Sequence, residues 1–306
     1  DGSPLLSRRR RADKNEAPRL PEKGLYRICC HFNLYFNLGC SEGMAVNSGI
    51  FKEESRKMEG LRRIKLVLAY DGTNYCGWQV QPNGMSIQEM LQKHIEELTG
   101  EKIMLTGASR TDSGVHALGQ VAVFDTTKIW PAERFVPALN QRLPKDIVIQ
   151  SAEEVPMDFH PRYQNTLKTY EYRILNRRVP LPNERLNSYF VPQNLDLEAM
   201  QKAGREIIGT HDFHNFCSLK TNVQSTVRTI TDLTLTKEGD MICLRIRGDG
   251  FLYNMVRIIV GSLLKVGFHK KTAEDIRRSL ETEERYVVGP TAPPQGLTLV
   301  NIEYLE

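Results

Sequence analysis

The chain has 306 residues, of which 40% are apolar and 25% are charged, a composition that is typical of globular proteins and excludes collagen-like or wholly disordered chains. No stretch approaches the roughly eighteen apolar residues of a membrane-spanning helix, and no secretory signal is evident, so we expect a soluble, cytoplasmic protein without a membrane partner. The net charge of +4 arises entirely from residues 1–57, which contain 11 Lys and Arg against 7 Asp and Glu, so bulk charge indicates no ligand for residues 58–306.

Residues 1–57 show no helical or strand periodicity. They include a charged stretch with four consecutive arginines, which predicts a disordered or non-native leader, with a basic arm for nucleic acid as the alternative. The cysteines of the chain are scattered, and Cys29, Cys30 and Cys40 lack the paired spacing of a zinc site. We therefore expect reduced thiols, no bound metal and a folded body that begins near Met58.

The first half of the folded body has the pattern βαββαβ. Residues 63–70 alternate as a strand does and end at the turn residues Asp71 and Gly72. A helix follows, in which Ser86 and Glu89 have the spacing of a capping box. The remaining elements are strands at 102–108 and 119–125, a helix at 132–142 and a strand at 147–155.

The second half repeats this order. Its elements are a strand at 168–175, a helix at 195–209, strands at 228–236 and 241–248, helices at 251–267 and 272–280, and a strand at 297–305. Two such halves, 58–160 and 161–306, predict an α+β fold of two split-βαβ units, ferredoxin-like or RNA-recognition-motif-like. They would form a mixed, mainly antiparallel sheet with helices on one face. We expect a central cleft at the seam between the halves or on the open sheet faces.

Arg110 and Asp112 stand two positions apart in the segment TGASRTDSGVHALGQ. In extended backbone both side chains face the same space, which fits either a turn salt bridge or the working end of an active site. The short side chains around the pair favour the active site, because a ligand can approach closely. An arginine beside an aspartate is expected to lower the pKa of the carboxyl group, which suits a nucleophile or a general base.

The neighbouring side chains give weaker indications. His116 follows Asp112 by four positions, but no third ligand accompanies it, and a lone histidine is typically structural. Ser109 and Ser113 lack the GxSxG context of a hydrolase nucleophile. No GxxxxGK[ST] or GxGxxG loop occurs, so the sequence gives no support for a nucleotide triphosphate or a dinucleotide cofactor.

Three residues from the second half complete the candidate site. Tyr170 shares a predicted strand face with Tyr172, which fits either cross-strand packing or a ring that stacks on a base. Arg257 interrupts an apolar helix and needs a carboxylate partner, for which Asp112 is the candidate. Leu297 follows a loop of proline and glycine, and it either closes the core or lines a pocket.

Several motifs occur together in the order and spacing of a known family. They are GASRTDSGVHALGQVAVF, FHPR, KTYEYRI, GDGFLYNMVRIIVG and PPQGLTLVNIEY. Residues 58–306 resemble the TruA family of tRNA pseudouridine synthases, whereas residues 1–57 have no counterpart in that pattern. The resemblance implies an enzyme that isomerises uridine to pseudouridine at positions 38, 39 and 40 of the tRNA anticodon stem-loop, as a homodimer and without a metal or cofactor.

The same resemblance implies a role for each candidate residue. Asp112 matches the catalytic nucleophile and Arg110 the arginine that accompanies it. Tyr170 matches the tyrosine against the target base, Arg257 the arginine paired to the aspartate, and Leu297 the pocket leucine. A noncatalytic RNA-binding protein on the same fold is the alternative, and an Asp/His hydrolase is a more distant one.

A tRNA cleft in a body with no net charge requires cations that cluster in space. We therefore predict that the basic residues of the motifs lie mostly on one face and that binding weakens as salt rises. These residues are Arg110, Arg162, Lys168, Arg173, Arg177, Arg178, Lys220, Arg245 and Arg247.

Overall fold

The computed structural model describes residues 60–218, 224–282 and 289–305, which all belong to one compact unit. The predictions made for residues 1–57 and for Lys220 lie outside the described residues. None of the helices in the described part of the chain has the length and apolar character needed to cross a lipid bilayer.

The described strands form one mixed sheet. In chain order they are β1 (Arg62–Tyr70), β2 (Thr106–Gly107), β3 (His116–Thr126), β4 (Ile147–Val155), β5 (Thr166–Asn176), β6 (Tyr189–Val191), β7 (Gly209–Asp212), β8 (Val227–Glu238), β9 (Met241–Gly248) and β10 (Leu297–Tyr304). The spatial order is β4-β1-β3-β10-β5-β9-β8-β7, with β2 beside β3 and β6 beside β5. The pairs β3–β10 and β5–β6 are parallel, and the others are antiparallel. The β3–β10 pair joins the strands of the two halves into one continuous sheet.

The described α-helices are α1 (Ile87–Thr99), α2 (Phe135–Asn140), α3 (Leu197–Arg205), α4 (Met255–Gly267) and α5 (Ala273–Glu281). The predicted start of α1 is confirmed, because Ser86 Oγ accepts the N–H of Glu89 at 3.1 Å. The helix ends at Gly100 in the left-handed conformation, with φ 70°. Nearly every residue of α4 is buried, so a charged residue within that helix needs a specific partner.

The alternation of side chains along the strands gives the sheet one apolar, helix-covered face. On β1, Ile64, Leu66 and Leu68 are fully buried, whereas the residues between them are partly exposed. Leu233 of β8 lies on the same face and packs against Gly204 of α3. A Cβ atom added to Gly204 would lie only 2.7 Å from the Leu233 side chain. The strand registers confirm the predicted α+β class, with a mainly antiparallel sheet and helices on one face.

Two predicted elements are shorter in the structure. Only β2 forms within the predicted strand 102–108, because the N–H of Ile103 donates to Oε1 of Glu96 instead of to a neighbouring strand. The predicted helix 132–142 is a 3-10 turn followed by α2. Pro137 lacks the N–H that a continuous α-helix through this stretch would use.

Two short strands, β6 and β7, were not predicted. The predicted helix 195–209 ends at Arg205, and β7 begins at Gly209. Gly209 has φ 126°, a value that an α-helix does not allow and that favours glycine. Such short edge strands carry little periodicity, so the sequence pattern does not reveal them.

Candidate functional site

A cleft of about 840 Å³ opens at the seam between the two halves. Tyr170, which lines the cleft, is paired with Leu299 on the neighbouring strand, so the two side chains project from the same face of the sheet. Leu299 is fully buried on the helix-covered face, and the cleft therefore lies on the helix-bearing side of the sheet. The expectation of a cleft at the seam is therefore correct, and the alternative on the open sheet faces is wrong. All the predicted site residues line the cleft: Arg110, Asp112, Tyr170, Arg257 and Leu297.

The loop that carries Asp112 is fixed by the last residue of β1 and by the segment that follows it. The N–H of Trp78 donates to the carbonyl of Thr111 at 3.1 Å, and Tyr70 Oη shares a 2.8 Å hydrogen bond with Thr111 Oγ1. Gly77 has φ 83°, and a Cβ atom there would lie 2.6 Å from the same carbonyl. Only glycine fits this approach, so the backbone beside Asp112 is positioned before any ligand binds.

Arg257, in the first turn of α4, forms an ion pair with Asp112. Its Nη1 donates to Asp112 Oδ2 at 3.1 Å and to Asn254 Oδ1 at 2.9 Å, and its Nε donates to the Ala292 carbonyl at 2.7 Å. The two charged side chains are 15% and 17% exposed. The predicted carboxylate partner of this arginine is confirmed, and two further acceptors hold the guanidinium in place.

Burial raises the pKa of Asp112 above its ordinary value, although the hydrogen bond from Arg257 and its charge oppose that rise. An adjacent arginine does lower this pKa, as expected, but the loss of hydration outweighs the attraction of that one cation, so the expected low pKa of Asp112 is not found. The result is a carboxylate that is more basic than an exposed aspartate. Such a group suits a nucleophile or a base better than a fully hydrated carboxylate does.

Arg110 does not form the turn salt bridge with Asp112 that the sequence allowed. The ion pair of Asp112 within the described residues is the one with Arg257. Arg110 is exposed and lines the cleft. Its guanidinium is thus available to a ligand, whereas the aspartate is already engaged by a second arginine.

Tyr170 lies in the wall of the cleft and is 6% exposed. Its hydroxyl shares a 3.0 Å hydrogen bond with Ser109 Oγ, and its ring meets Phe251 edge to face at 5.1 Å. Burial raises the pKa of Tyr170 to about 12. The hydroxyl therefore keeps its proton at neutral pH and can donate a hydrogen bond toward the cleft.

Tyr172 and Leu297 connect the cleft to the core. Tyr172 is fully buried on the same strand face as Tyr170, as predicted, and its hydroxyl donates to the Pro293 carbonyl at 2.7 Å. Leu297 is the first residue of β10 and pairs with Tyr172. Leu297 is buried and also lines the cleft, so it both closes the core and forms an apolar wall.

Three cations line one part of the cleft and form what we call the cation cluster: Arg110, Arg162 and Lys168. Arg162 Nη2 donates to the Gly107 carbonyl at 3.1 Å, and Lys168 Nζ donates to the Ala108 carbonyl at 3.2 Å. Burial, and then the charge of Arg162, lowers the pKa of Lys168 to about 8. Burial and the charge of Arg110 likewise lower the pKa of Arg162. Concentrated positive charge of this kind attracts an anion.

The prediction that the basic residues lie mostly on one face is wrong. Arg245 and Arg247 flank Ile246, which shares the face of Tyr170, so both arginines project from the opposite side of the sheet. Arg245, Arg247 and Arg173 form ion pairs with glutamates there. Their charges are largely compensated, whereas no ion pair to the cation cluster is found within residues 60–218, 224–282 and 289–305.

His116 has a structural environment. The N–H of Gly72 donates to its Nδ1 at 3.1 Å, and Oδ1 of Asp71 lies 3.1 Å from the same nitrogen. Its Nε2 lies 3.2 Å from the Gln295 carbonyl. No group of three potential metal ligands occurs among the residues that the structure describes. Cys76 and Cys243 are free thiols, and the Cys217 Sγ lies 3.4 Å from the carbonyl of His214.

Three residues that shape the site were not predicted for these roles. Asn254 holds Arg257 and adopts the left-handed conformation at φ 63° immediately before α4. Asn is one of the few residues that tolerate this conformation. An asparagine immediately before an apolar helix could therefore have indicated a special backbone position at the start of that helix. Ser109 and Phe251 contact Tyr170 only through tertiary packing, which no local pattern reveals.

The chain is similar to a large group of known proteins. A family model described as tRNA pseudouridine synthase matches residues 66–164 and 203–305. A tRNA pseudouridine synthase A of Acetivibrio thermocellus is 50% identical over 244 residues, which cover 80% of this chain and 100% of that protein. The protein of the same name from Thermoanaerobacter sp. is 48% identical with the same coverage. That of Halalkalibacterium halodurans is 46% identical over 78% of this chain and 90% of its own length.

Proposed function

The chain belongs to the tRNA pseudouridine synthase family, and we propose that it isomerises uridine at positions 38, 39 and 40 of the tRNA anticodon stem-loop with Asp112 as catalytic nucleophile. It is an isomerase that acts on tRNA. The observation that carries the proposed role of Asp112 is its ion pair with Arg257 at 3.1 Å, in the wall of a cleft large enough for a nucleotide.

The chemistry of the isomerisation fits a carboxylate without a cofactor. The N1–C1′ glycosidic bond of uridine is broken, the base turns, and a C5–C1′ bond forms while C5 loses a proton and N1 gains one. No electrons are gained or lost overall, and no water is consumed. The raised pKa of Asp112 makes its carboxylate a better nucleophile or base for this rearrangement, whether it attacks the base or the sugar or removes a sugar proton.

The target uridine lies within or beside a stem and must leave the base stack before Asp112 can reach it. Everting a base costs a few kcal/mol in lost pairing and stacking. The exposed guanidinium of Arg110 supports a role at this step, because its planar fork can bind a phosphate or occupy the vacated space. Leu297 offers an apolar wall and Tyr170 an aromatic wall to the everted base.

We assign this activity to residues 58–306, as subdomains 58–160 and 161–306, and propose that the active species is a homodimer. The proposal of a homodimer rests on the family resemblance. Size-exclusion chromatography coupled to light scattering, on the purified full chain, tests it directly. A monomer that retains full activity would contradict it.

The experiment that tests the function is pseudouridine mapping on a tRNA transcript. The transcript carries uridine at positions 38, 39 and 40 and is incubated with the purified protein. We expect pseudouridine at those positions and at no other uridine. If the protein binds the transcript but leaves every uridine unchanged, the result supports the alternative, a noncatalytic RNA-binding protein on the same fold.

The more distant hypothesis, an Asp/His hydrolase, predicts a different result. It requires His116 in the reaction, whereas His116 contacts Gly72, Gln295 and the carboxylate of Asp71 and is not among the residues that line the cleft. Activity that is lost with a chelator or with His116→Ala, but kept with Asp112→Ala, would favour a hydrolase.

A further inference from the structure

The segment from Met157 to Tyr163 is a loop that is held by side chains of the sheet. Nη1 of Arg63 donates to the carbonyl of Met157 at 2.7 Å and to that of Phe159 at 2.9 Å. The Tyr304 hydroxyl donates to the Pro161 carbonyl at 3.0 Å. These bonds fix the loop at several points, so the side chains at its end are displayed in a defined orientation.

The end of this loop presents a cation and an aromatic ring side by side. Arg162 points into the cleft, whereas the next residue, Tyr163, is 80% exposed. The ring of Tyr163 stacks on that of His160 with centroids 4.2 Å apart and planes at 23°. The N–H of Arg162 donates to His160 Nδ1 at 3.1 Å, so the same turn positions both the guanidinium and the stacked rings.

The stacked pair is a neutral platform. Burial and the charges of Arg162 and Arg63 lower the pKa of His160, and its Nδ1 serves as an acceptor, so the imidazole is uncharged at neutral pH. One face of the Tyr163 ring is used by His160, and the exposure of the residue leaves the other face open to a ligand.

We propose that Tyr163 stacks on an unpaired base of the bound RNA while Arg162 binds the adjoining phosphate. This inference rests on the proposed function, because it names a further contact for the same tRNA at the edge of the reactive cleft. Aromatic rings that stack on bases beside cations that follow the backbone are the usual means of binding single-stranded nucleic acid. A base is favoured over an apolar protein partner, because the cation cluster next to the ring favours a polyanion.

Affinity for an unmodified tRNA transcript, measured at several salt concentrations with the full-length protein, tests the inference. Tyr163→Ala removes the ring, and we expect its Kd to rise by about 5- to 100-fold with an unchanged salt slope. Tyr163→Phe keeps the ring and should bind within about twofold of wild type. Arg162→Gln should weaken binding and reduce the salt slope by about one.

Ile129→Ala is a matched control that removes another exposed apolar side chain and should leave the affinity unchanged. Thermal melting verifies that each variant is folded. The inference is overturned if Tyr163→Ala binds tRNA as tightly as wild type, even if its oligomeric state changes, or if Tyr163→Phe is as weak as Tyr163→Ala. Failure of the proposed function is a separate result, because wild-type protein would then form no pseudouridine in the same transcript.

Discussion

Nη1 of Arg257 lies 3.1 Å from Oδ2 of Asp112, although the two residues are 145 positions apart in the sequence. The contact joins the first turn of α4, from the second half, to the loop between β2 and β3, from the first half. The site is therefore complete only when both halves are folded against each other. Arg257 also opposes the effect of burial on the carboxyl group.

Replacing Arg257 should make the activity more sensitive to acid. Without the guanidinium, burial alone acts on Asp112, and its pKa should rise by a further 1–3 units, roughly the effect of one adjacent arginine. The carboxylate is then lost at a higher pH. We expect the acidic midpoint of the single-turnover rate to move upward by about that amount in Arg257→Met, with a smaller shift in Arg257→Lys. An unchanged midpoint in Arg257→Met would refute this role.

Tyr170→Phe should separate binding from chemistry. The substitution keeps the ring and its contact with Phe251 but removes the hydroxyl that bonds to Ser109. Because a proton must move between C5 and N1, we expect the single-turnover rate to fall by at least about tenfold, while the Kd for tRNA changes by less than about twofold. Ser109→Ala tests whether orientation of the hydroxyl matters. A normal rate in Tyr170→Phe would restrict Tyr170 to packing.

Lys168 should lower the stability of the fold at neutral pH. Its pKa falls from 10.5 to about 8 in the folded protein. Between these values the unfolded chain binds more protons, so the free energy of unfolding rises with pH. At pH 7 we expect Lys168→Met to be more stable by on the order of 1–3 kcal/mol, to lose this advantage above pH 10.5 and to bind tRNA less tightly.

Thermal or urea denaturation across this pH range measures the effect of Lys168→Met. The exposed Lys237, on β8, provides the control, since Lys237→Met should leave stability unchanged. If Lys168→Met is no more stable than wild type at pH 7, the buried charge is not costly and this explanation is wrong.

Arg110→Gln should affect tRNA and leave the fold intact. Arg110 is exposed and takes part in no ion pair within the described ranges of the chain, so its loss should change the melting temperature little. As a single cation near the RNA backbone, it should contribute about one unit to the salt slope of binding. Arg110→Lys keeps the charge but not the planar fork. Normal catalysis in Arg110→Lys would limit the role to charge alone.

Local patterns were sufficient for most of the fold and for one long-range contact. The alternation in β1 and the capping residues of α1 predict those elements because each signal lies within one element. A charged residue in an apolar helix predicts a partner, and Arg257 does contact Asp112. Which of two arginines pairs with the aspartate depends on how the halves pack, because the two-residue spacing of Arg110 and Asp112 also allowed a salt bridge between them.

Effects that depend on tertiary structure could not be obtained from the pattern. The direction of the Asp112 pKa shift follows from burial, which spacing does not reveal. The sides on which Arg245 and Arg247 lie follow from the register of β9 with β5, and their partners come from other strands. The parallel pairing of β3 with β10 likewise joins elements too far apart for any local signal.

The most direct test of the account compares wild type with Asp112→Asn in single-turnover conversion of a tRNA transcript, with pseudouridine mapped at positions 38, 39 and 40. Asp232→Asn, an exposed carboxylate on β8, is the matched control. We predict normal conversion by wild type and by Asp232→Asn, and a loss of at least about 1,000-fold in Asp112→Asn, with tRNA still bound. Conversion by Asp112→Asn within about tenfold of wild type would contradict a catalytic role for this carboxylate.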